Sequence, residues 1–252
     1  MTEDTKRVSR ALEAAEIAKL EAETANLGAE LKIKQAEIKI KQAEARQKAA
    51  HALSAEFGAE QMRIQTAATQ RQEKITLASN HHHHVYNFIG AVYEESVENC
   101  LTQLAVWDRL DPACEIEIRM NSQGGSVIDG MYLFDEITNL SLQGGGSHKI
   151  TMVVRGWAAS MAAILLQSAD VRRIGKESYL MIHEVSSMAR GKIGEILDEV
   201  SLLELMSERV AQIFVNRAKG ISLAQFKKNW ERKDWYLDSQ KALKYGFVDE
   251  VG

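Results

Sequence analysis

The stretch "KITMVVRGWAASMAAILLQS" (Lys149–Ser168) combines two secondary-structure patterns around one serine. The apolar, β-branched run Lys149–Gly156 predicts a buried strand, and the apolar, helix-forming run after Ser160 predicts a helix. Ser160 therefore stands at a strand-to-helix corner. A serine there can cap the helix, or it can serve as a nucleophile held at a helix N-terminus.

Strands alternate with helices along the chain from His84 onward, which predicts an α/β fold with a largely parallel sheet. In such sheets, functional sites collect at the carboxyl ends of the strands. The predicted strands are His84–Val92, Cys114–Asn121, Lys149–Gly156 and Ser178–His183, and the segment Phe247–Val251 comes last. The predicted helices are Glu95–Leu110, Ser126–Leu140, one after Ser160, Ile193–Lys219, Leu223–Trp230 and Ser239–Tyr245.

The first 79 residues differ in character, being rich in Ala, Glu, Lys and Gln with Phe57 as the only aromatic side chain. This composition predicts one or two long helices over residues 5–78 rather than a globular core. The segment "IKQAE" recurs after seven residues, and an approximate heptad seam carries Lys34 and Lys41 at two inner positions. Its apolar members are Ile17, Leu20, Leu27, Leu31 and Ile38. We expect a coiled-coil-like arm that is stable only when paired with a copy or a partner.

The overall composition narrows the possible environments and ligands. The net charge is −4 with both signs abundant, which favours neither nucleic acid nor an anionic membrane as a partner. No leader pattern and no long apolar run are present, so we expect a cytoplasmic protein. Cys100 and Cys114 lack metal-type spacing and are interpreted as reduced packing residues. The run "SNHHHH" (Ser79–His84) is interpreted as a linker that binds metal only incidentally, so no metal and no cofactor are expected.

Residues suited to acyl chemistry follow several of the predicted strands. "NSQGGS" (Asn121–Ser126) predicts a tight glycine turn whose amides could stabilise an oxyanion. A serine nucleophile needs a base, and His183 is better placed for this than His51 or His148 because it ends a strand. The carboxylate that would orient the histidine stays open among Asp170, Asp198, Asp234, Asp238 and Asp249. Asp234 is slightly favoured, because its position between a lysine and two aromatic residues predicts partly apolar surroundings.

Four motifs together resemble the ClpP peptidase family of serine proteases, in that family's order and spacing. They are "MNSQGGSVIDGMYLFDEI" (Met120–Ile137), "RGWAASMAAILL" (Arg155–Leu166), "YLMIHEV" (Tyr179–Val185) and "DWYLDSQKALKYGFVDEV" (Asp234–Val251). The resemblance covers Val85 to Gly252. It implies a ClpP/crotonase-like fold of repeated β-β-α units with a handle helix. The predicted organisation is a helical arm over 1–79, a His-rich linker over 80–84 and a peptidase domain over 85–252.

The resemblance also implies roles for individual residues. Ser160 would be the nucleophile, His183 the base and Asp234 the third member of a catalytic triad. The amides of Gly125 and Met161 would form the oxyanion hole. A polypeptide substrate would bind as an added strand along residues near the turn and after the base, namely Gly124, Ser126, Val127, Glu184, Val185 and Ser186. The family implies a ring homo-oligomer, usually of one heptamer or two stacked heptamers.

The chain departs from the family pattern at three places. Gln123 replaces a usual proline, the connection Gln143–Lys149 is longer than usual, and the arm replaces a short propeptide and axial loop. The arm argues against a standard partnership with an ATP-driven unfoldase. The pattern is similar to bacteriophage-encoded ClpP-like proteases, which suggests processing of capsid or scaffold proteins in an infected host cytoplasm or inside a prohead.

Three other functions remain open from the residues. A serine–lysine dyad of the signal-peptide-peptidase type would use Lys176 in place of His183. A crotonase-like enzyme of acyl-CoA chemistry would need the oxyanion amides but no serine nucleophile. A non-catalytic scaffold would use the helical arm as its functional part.

Overall fold

The computed structural model describes residues 3–188 and 190–252. The chain divides into a helical unit that ends at Lys74 and a second unit, Ile75–Gly252. A single helix, α1 (Glu3–Leu77), accounts for the described part of the helical unit. Its large apolar side chains, among them Leu20, Leu27 and Leu31, are all exposed to solvent. The helix itself therefore has no core of its own, as its composition predicts.

The second unit is an α/β structure in which a seven-stranded sheet is flanked by helices. Its strands are β1 (Val85–Val92), β2 (Ile116–Gly125), β3 (Ile150–Ala159), β4 (Val171–Ile174), β5 (Tyr179–Ile182), β6 (Trp235–Asp238) and β7 (Glu250–Val251). Its helices are α2 (Glu94–Leu110), α3 (Val127–Leu140), α4 (Met161–Leu165), α5 (Ile193–Arg217), α6 (Leu223–Trp230) and α7 (Ser239–Tyr245). Two short 3-10 turns, Leu142–Gly144 and Leu166–Ser168, complete it. The predicted fold class is confirmed.

The sheet order places the ends of β3 and β5 side by side. Strands β1, β2, β3, β4 and β7 follow one another in parallel, while the second half of β3 pairs with β5. Ala159 pairs with Met181, and the Ser160 amide donates to the Met181 carbonyl at 2.8 Å. Because β3 and β5 are parallel, the residue after each strand lies at the same edge of the sheet. Ser160 and His183 are those residues.

The predicted glycine turn is corrected by the structure. Strand β2 continues to Gly125 instead of ending at Asn121, because β1 keeps pairing with it through Ala91 opposite Gly124 and Val92 opposite Gly125. The register shifts between Ile89 and Ala91, where two steps along β1 correspond to three along β2, from Asn121 to Gly124. The two glycines therefore form the end of a strand, and helix α3 begins directly afterwards.

A buried ion pair stabilises the side of the sheet formed by β4 and β7. Arg172 on β4 is 1% exposed, and its guanidinium donates to both carboxylate oxygens of Asp249, at 3.0 and 2.7 Å. Arg172 also donates to Gln167 Oε1 at 2.6 Å. At the end of α5, Arg217 donates to the carbonyl oxygens of Gln167 and Asp170. These contacts tie α5 to the segment that follows α4.

Candidate active site

Ser160 has a backbone conformation that L-residues rarely adopt, with φ 53° and ψ −124°. Such a conformation costs of order 1–3 kcal/mol and persists only where the surrounding structure imposes it. The Ser160 side chain accepts no hydrogen bond from the amides of α4, so it does not cap the helix. Instead, Ser160 Oγ lies 2.8 Å from His183 Nε2. The corner therefore presents the hydroxyl to the imidazole.

His183 is the histidine that the fold brings to Ser160. It follows β5 directly and is half-buried. His148 is fully buried elsewhere, with Nε2 2.9 Å from Asp108 Oδ1, and His51 lies exposed on α1. Only a neutral His183 with its proton on Nδ1 can accept the hydroxyl hydrogen at Nε2. In that tautomer, Nδ1–H is available to a carboxylate.

Asp234 lies next to β6, opposite His183, without a hydrogen bond to it. Strands β5 and β6 are antiparallel, and their last pair is Ile182 with Trp235. One step further along this register sets His183 against Asp234. Among the described residues, the hydrogen-bond partner of Asp234 is the Tyr236 hydroxyl, which donates to Oδ2 at 3.4 Å. The expectation of partly apolar surroundings is wrong, because Asp234 is exposed at the edge of the unit.

The other candidate aspartates have structural roles or distant positions. Asp170 accepts the amides of Leu142, Gln143 and Ile150, and Asp238 caps α7 through the Lys241 amide at 2.8 Å. Asp249 is held by Arg172. Although burial opposes it, hydrogen bonds from the Arg172 side chain and amide lower the pKa of Asp249 below its ordinary value. Asp198 is exposed on α5. Asp234 is thus the candidate beside His183.

Two glycines at the end of β2 allow close backbone approaches, Gly124 to the Ser160 corner and Gly125 to Val92 on β1. A Cβ atom on Gly124 would lie 2.5 Å from the Ala159 carbonyl oxygen, 2.7 Å from Ser160 Cβ and 2.8 Å from Met161 N. A Cβ atom on Gly125 would lie 2.2 Å from the Val92 carbonyl oxygen. Met161 is the first residue of α4, where a backbone amide has no intrahelical acceptor. This amide therefore remains available beside the Ser160 hydroxyl.

A small cavity of about 40 Å³ joins most of the predicted site residues. Its lining includes Gly125, Val127, Ser160, His183 and the segment Glu184–Ser186. A shallower pocket continues from His183 to Asp234 and is also lined by Arg232 and Lys233. Gly124, Ser126 and Met161 do not line either cavity, although Gly124 packs behind the Ser160 corner and Ser126 caps α3 through the Asp129 amide.

The segment after His183 is held by contacts that the sequence did not reveal. The Val185 amide donates to Ser207 Oγ on α5 at 3.3 Å, and the Arg232 amide donates to Glu184 Oε2 at 3.0 Å. Arg232 itself has a left-handed backbone, with φ 54°. These partners come from α5 and from the loop before β6, which are distant in sequence. No local pattern could have indicated them.

Lys176 does not share the site with Ser160. It lies in the turn before β5, where its carbonyl oxygen accepts a hydrogen bond from Ser239 Oγ at 2.9 Å. This is the amino end of β5, whereas Ser160 lies at the carboxyl end. At about 3.3 Å per residue, the four-residue strand separates the two ends by about 10 Å. The serine–lysine dyad therefore lacks geometric support.

Comparison with known proteins assigns the family. The model of the family described as Clp protease matches residues 69–252. The ATP-dependent Clp protease proteolytic subunit of Bacteroides thetaiotaomicron is 30% identical over 169 residues, which cover 65% of this chain and 72% of that protein. The subunit of the same name from Bacteroides fragilis is 29% identical, with 65% and 77% covered. Among the described residues, no helix is long and apolar enough to cross a membrane. The chain belongs to the Clp protease family and is a ClpP-type peptidase.

Proposed function

We propose that the protein is a serine endopeptidase with Ser160 as nucleophile, His183 as general base and Asp234 as the carboxylate that orients the base. The observation that carries this proposal is the 2.8 Å contact between Ser160 Oγ and His183 Nε2 at a strained strand-to-helix corner. Strain of this kind is concentrated at functional sites. Family membership supports the same reaction class.

The reaction would proceed by acyl transfer. His183 Nε2 accepts the hydroxyl proton while Ser160 Oγ attacks the carbonyl carbon of a peptide bond. The amides of Gly125 and Met161 stabilise the resulting oxyanion. The imidazolium then protonates the amide nitrogen, the C–N bond breaks, and the amine leaves. Water, deprotonated by His183, hydrolyses the acyl-enzyme and regenerates the Ser160 hydroxyl.

The polypeptide substrate would bind in an extended conformation between two backbone segments. We place the peptide between the segment Ser126–Val127 and the segment Glu184–Ser186, and the presence of Val127 and of Glu184–Ser186 in the cavity lining supports this placement. Backbone hydrogen bonds of an added strand provide affinity without a strict sequence requirement. We therefore propose broad specificity with selection mainly at the small cavity beside Ser160.

Assembly into a ring is proposed together with the activity. Exposed apolar side chains on α5, including Ile196, Leu197 and Leu205, support its role as the handle that contacts another copy. The expected state is one heptamer or two stacked heptamers. We do not propose a standard partnership with an ATP-driven unfoldase, since the arm replaces the segment that would contact the unfoldase. Processing of phage capsid or scaffold proteins also stays a prediction, with the arm as the docking element.

The activity of three variants separates this mechanism from its rivals. We expect Ser160→Ala and His183→Ala each to reduce peptide hydrolysis by roughly 10⁴-fold or more, because the pair acts as a unit. Lys176→Ala is the matched control and should retain activity. A serine–lysine dyad would give the reverse result for His183 and Lys176. A crotonase-like enzyme or a scaffold would show no Ser160-dependent peptide hydrolysis.

A further inference from the structure

A cluster of potential metal ligands lies at the edge of the sheet opposite the Ser160 corner. Three parallel neighbours, β1, β2 and β3, are each preceded within two residues by a side chain that can bind a transition metal. These side chains are His84, Cys114 and His148. They stand at the amino ends of the strands, whereas Ser160 follows the carboxyl end of β3. The cluster is therefore separate from the peptidase site.

The side chains of His84, Asp111 and Cys114 converge on one point. One ligand atom from each, a ring nitrogen, a carboxylate oxygen and Sγ, lies within 4.8 Å of the other two. Zinc ligands at bond lengths of about 2.0–2.3 Å lie roughly 3.5 Å apart in a tetrahedron. An approach of about 1 Å would therefore close the set. The His84 ring packs edge-on against Trp107, whereas Asp111 is exposed and its side chain has room for that approach.

A tight turn presents two of the three ligands. Asp111 follows the last residue of α2 directly. Its carbonyl oxygen accepts a hydrogen bond from the Cys114 amide at 3.2 Å, and its Oδ1 accepts one from the Ala113 amide at 3.4 Å. The Asp-x-x-Cys spacing thus sets a carboxylate and a thiol side by side. The third ligand, His84, is held through its backbone by the neighbouring strand β2, because the His84 carbonyl oxygen accepts a hydrogen bond from the Glu117 amide at 3.0 Å.

A buried histidine and a carboxylate support the cysteine. His148 is fully buried; its Nδ1 lies 3.5 Å from Cys114 Sγ and 3.0 Å from the Cys114 carbonyl oxygen, and its Nε2 lies 2.9 Å from Asp108 Oδ1. Imidazole and carboxylate groups in such a chain commonly orient metal ligands. The negative charges of Asp111 and Asp108 act on the Cys114 thiol and favour a bound cation.

We propose that His84, Asp111 and Cys114 bind a zinc-type divalent ion, with water in the fourth position and His148 supporting the Cys114 sulfur. Nitrogen, oxygen and thiolate donors together suit zinc better than magnesium or calcium. Cys114 releases its proton to solvent as the S–metal bond forms. The ion ties the segment that enters β1 to the α2–β2 turn. It is a structural tie, and it replaces the expectation that the histidine run binds metal only incidentally.

Cobalt(II) titration of the reduced full-length chain tests this proposal, because a cobalt–thiolate bond gives a charge-transfer absorption band that imidazole ligands do not give. We expect the band to saturate at one equivalent and zinc to displace the cobalt. Cys114→Ser should abolish the band, whereas Cys100→Ala, which changes the other buried cysteine, should retain it. His84→Asn should weaken binding at least about tenfold, and asparagine tolerates the left-handed backbone at position 84, φ 52°. His82→Asn is the matched control.

Asp111→Asn tests the ligand set without disturbing the fold, because it preserves the side-chain shape at an exposed position. It should also weaken cobalt binding at least about tenfold with an unchanged circular dichroism spectrum. Cobalt binding without the charge-transfer band would mean adventitious binding by the histidine run, and a band that persists in Cys114→Ser would mean that Cys100 supplies the thiolate. Either result would overturn the proposal. Unchanged affinity in folded Asp111→Asn would overturn its ligand set.

Discussion

His183 and Asp234 face each other one step beyond the last pair of the β5–β6 ladder, yet no hydrogen bond joins them. The backbone register alone brings the two residues together, and the exposed carboxylate turns toward Tyr236 instead. The proposed triad requires a rotation of the Asp234 side chain from Tyr236 toward the imidazole. A neighbouring subunit that excluded water from this edge would favour that rotation, since charge-assisted hydrogen bonds strengthen away from solvent.

The first prediction concerns this carboxylate. Asp234→Asn should leave folding unchanged and lower kcat for peptide hydrolysis by about 10²–10⁴-fold, because the imidazole loses the partner that fixes its tautomer. Steady-state kinetics of the assembled protein measures this. Asp135→Asn, at an exposed position on α3, is the matched control and should retain kcat. Unchanged kcat in Asp234→Asn would assign a Ser160–His183 dyad instead of a triad.

The second prediction concerns the close approach of Gly124 to the Ser160 corner. Gly124→Ala adds a methyl group that would contact the Ala159 carbonyl oxygen at 2.5 Å and must displace the Ser160–Met161 backbone. We expect loss of most peptidase activity and a fall in the free energy of unfolding of more than about 1 kcal/mol. Gly145→Ala separates steric contact from backbone strain, because Gly145 has a similar φ of 92° with no atom within 4 Å of the added Cβ. Equal activity losses in the two variants would contradict the steric account.

The third prediction concerns acid stability. The pKa of Asp249 is lowered in the folded chain. The ionised Asp249 carboxylate therefore makes its full contribution to the free energy of unfolding above its ordinary pKa of about 3.9. This contribution is lost as the pH falls through the lower pKa of the folded chain. Asp249→Asn should reduce the free energy of unfolding by about 3 kcal/mol at neutral pH, because buried Arg172 is left unpaired. The difference from the parent chain should shrink in acid. Urea unfolding at several pH values measures both.

Glu250→Gln provides the comparison for that experiment. Glu250 pairs with Arg173 on the same two strands, but its side chain is 51% exposed. A surface pair of this kind contributes about 0–1 kcal/mol. If both variants lose the same free energy of unfolding, burial of Arg172 is not what makes the Asp249 pair strong.

The fourth prediction concerns the exposed apolar seam of α1. Leu27 is exposed on the helix, and we expect it to contact another copy or a partner. Leu27→Glu in the full-length chain should lower the helix content and remove a concentration-dependent melting transition followed by circular dichroism. Ala29→Glu introduces the same charge away from the seam and should change neither. Melting that is independent of concentration in the parent chain would contradict self-association of the arm.

The sequence predicted the fold best where the patterns are long. The helix α5 and the strand-to-helix corner at Ser160 were both predicted, and the family resemblance is confirmed by the family match. Strands β4 and β6 were not predicted, since each has four residues and carries charged side chains. Their strand conformation depends on pairing with β3 and β5, which is tertiary rather than local.

Individual site residues differ in how far local patterns identify them. The positions of Ser160 and His183 follow from strand ends, which local patterns mark. The choice of Asp234 came from the family resemblance, because local patterns left five aspartates open, and the β5–β6 register places it opposite His183. The cluster of His84, Asp111 and Cys114 could not be predicted, since His84 precedes β1 whereas the other two residues precede β2, and they meet only when these strands pair.

The reactivity of Ser160 tests the central claim most directly. A fluorophosphonate probe reacts with a serine only where a base and an oxyanion hole activate it. Peptide mass spectrometry of the labelled full-length chain should find one adduct, on Ser160, which Ser160→Ala abolishes and His183→Ala strongly reduces. An adduct on another serine, or peptidase activity retained in Ser160→Ala, would contradict the assignment of Ser160 as the nucleophile.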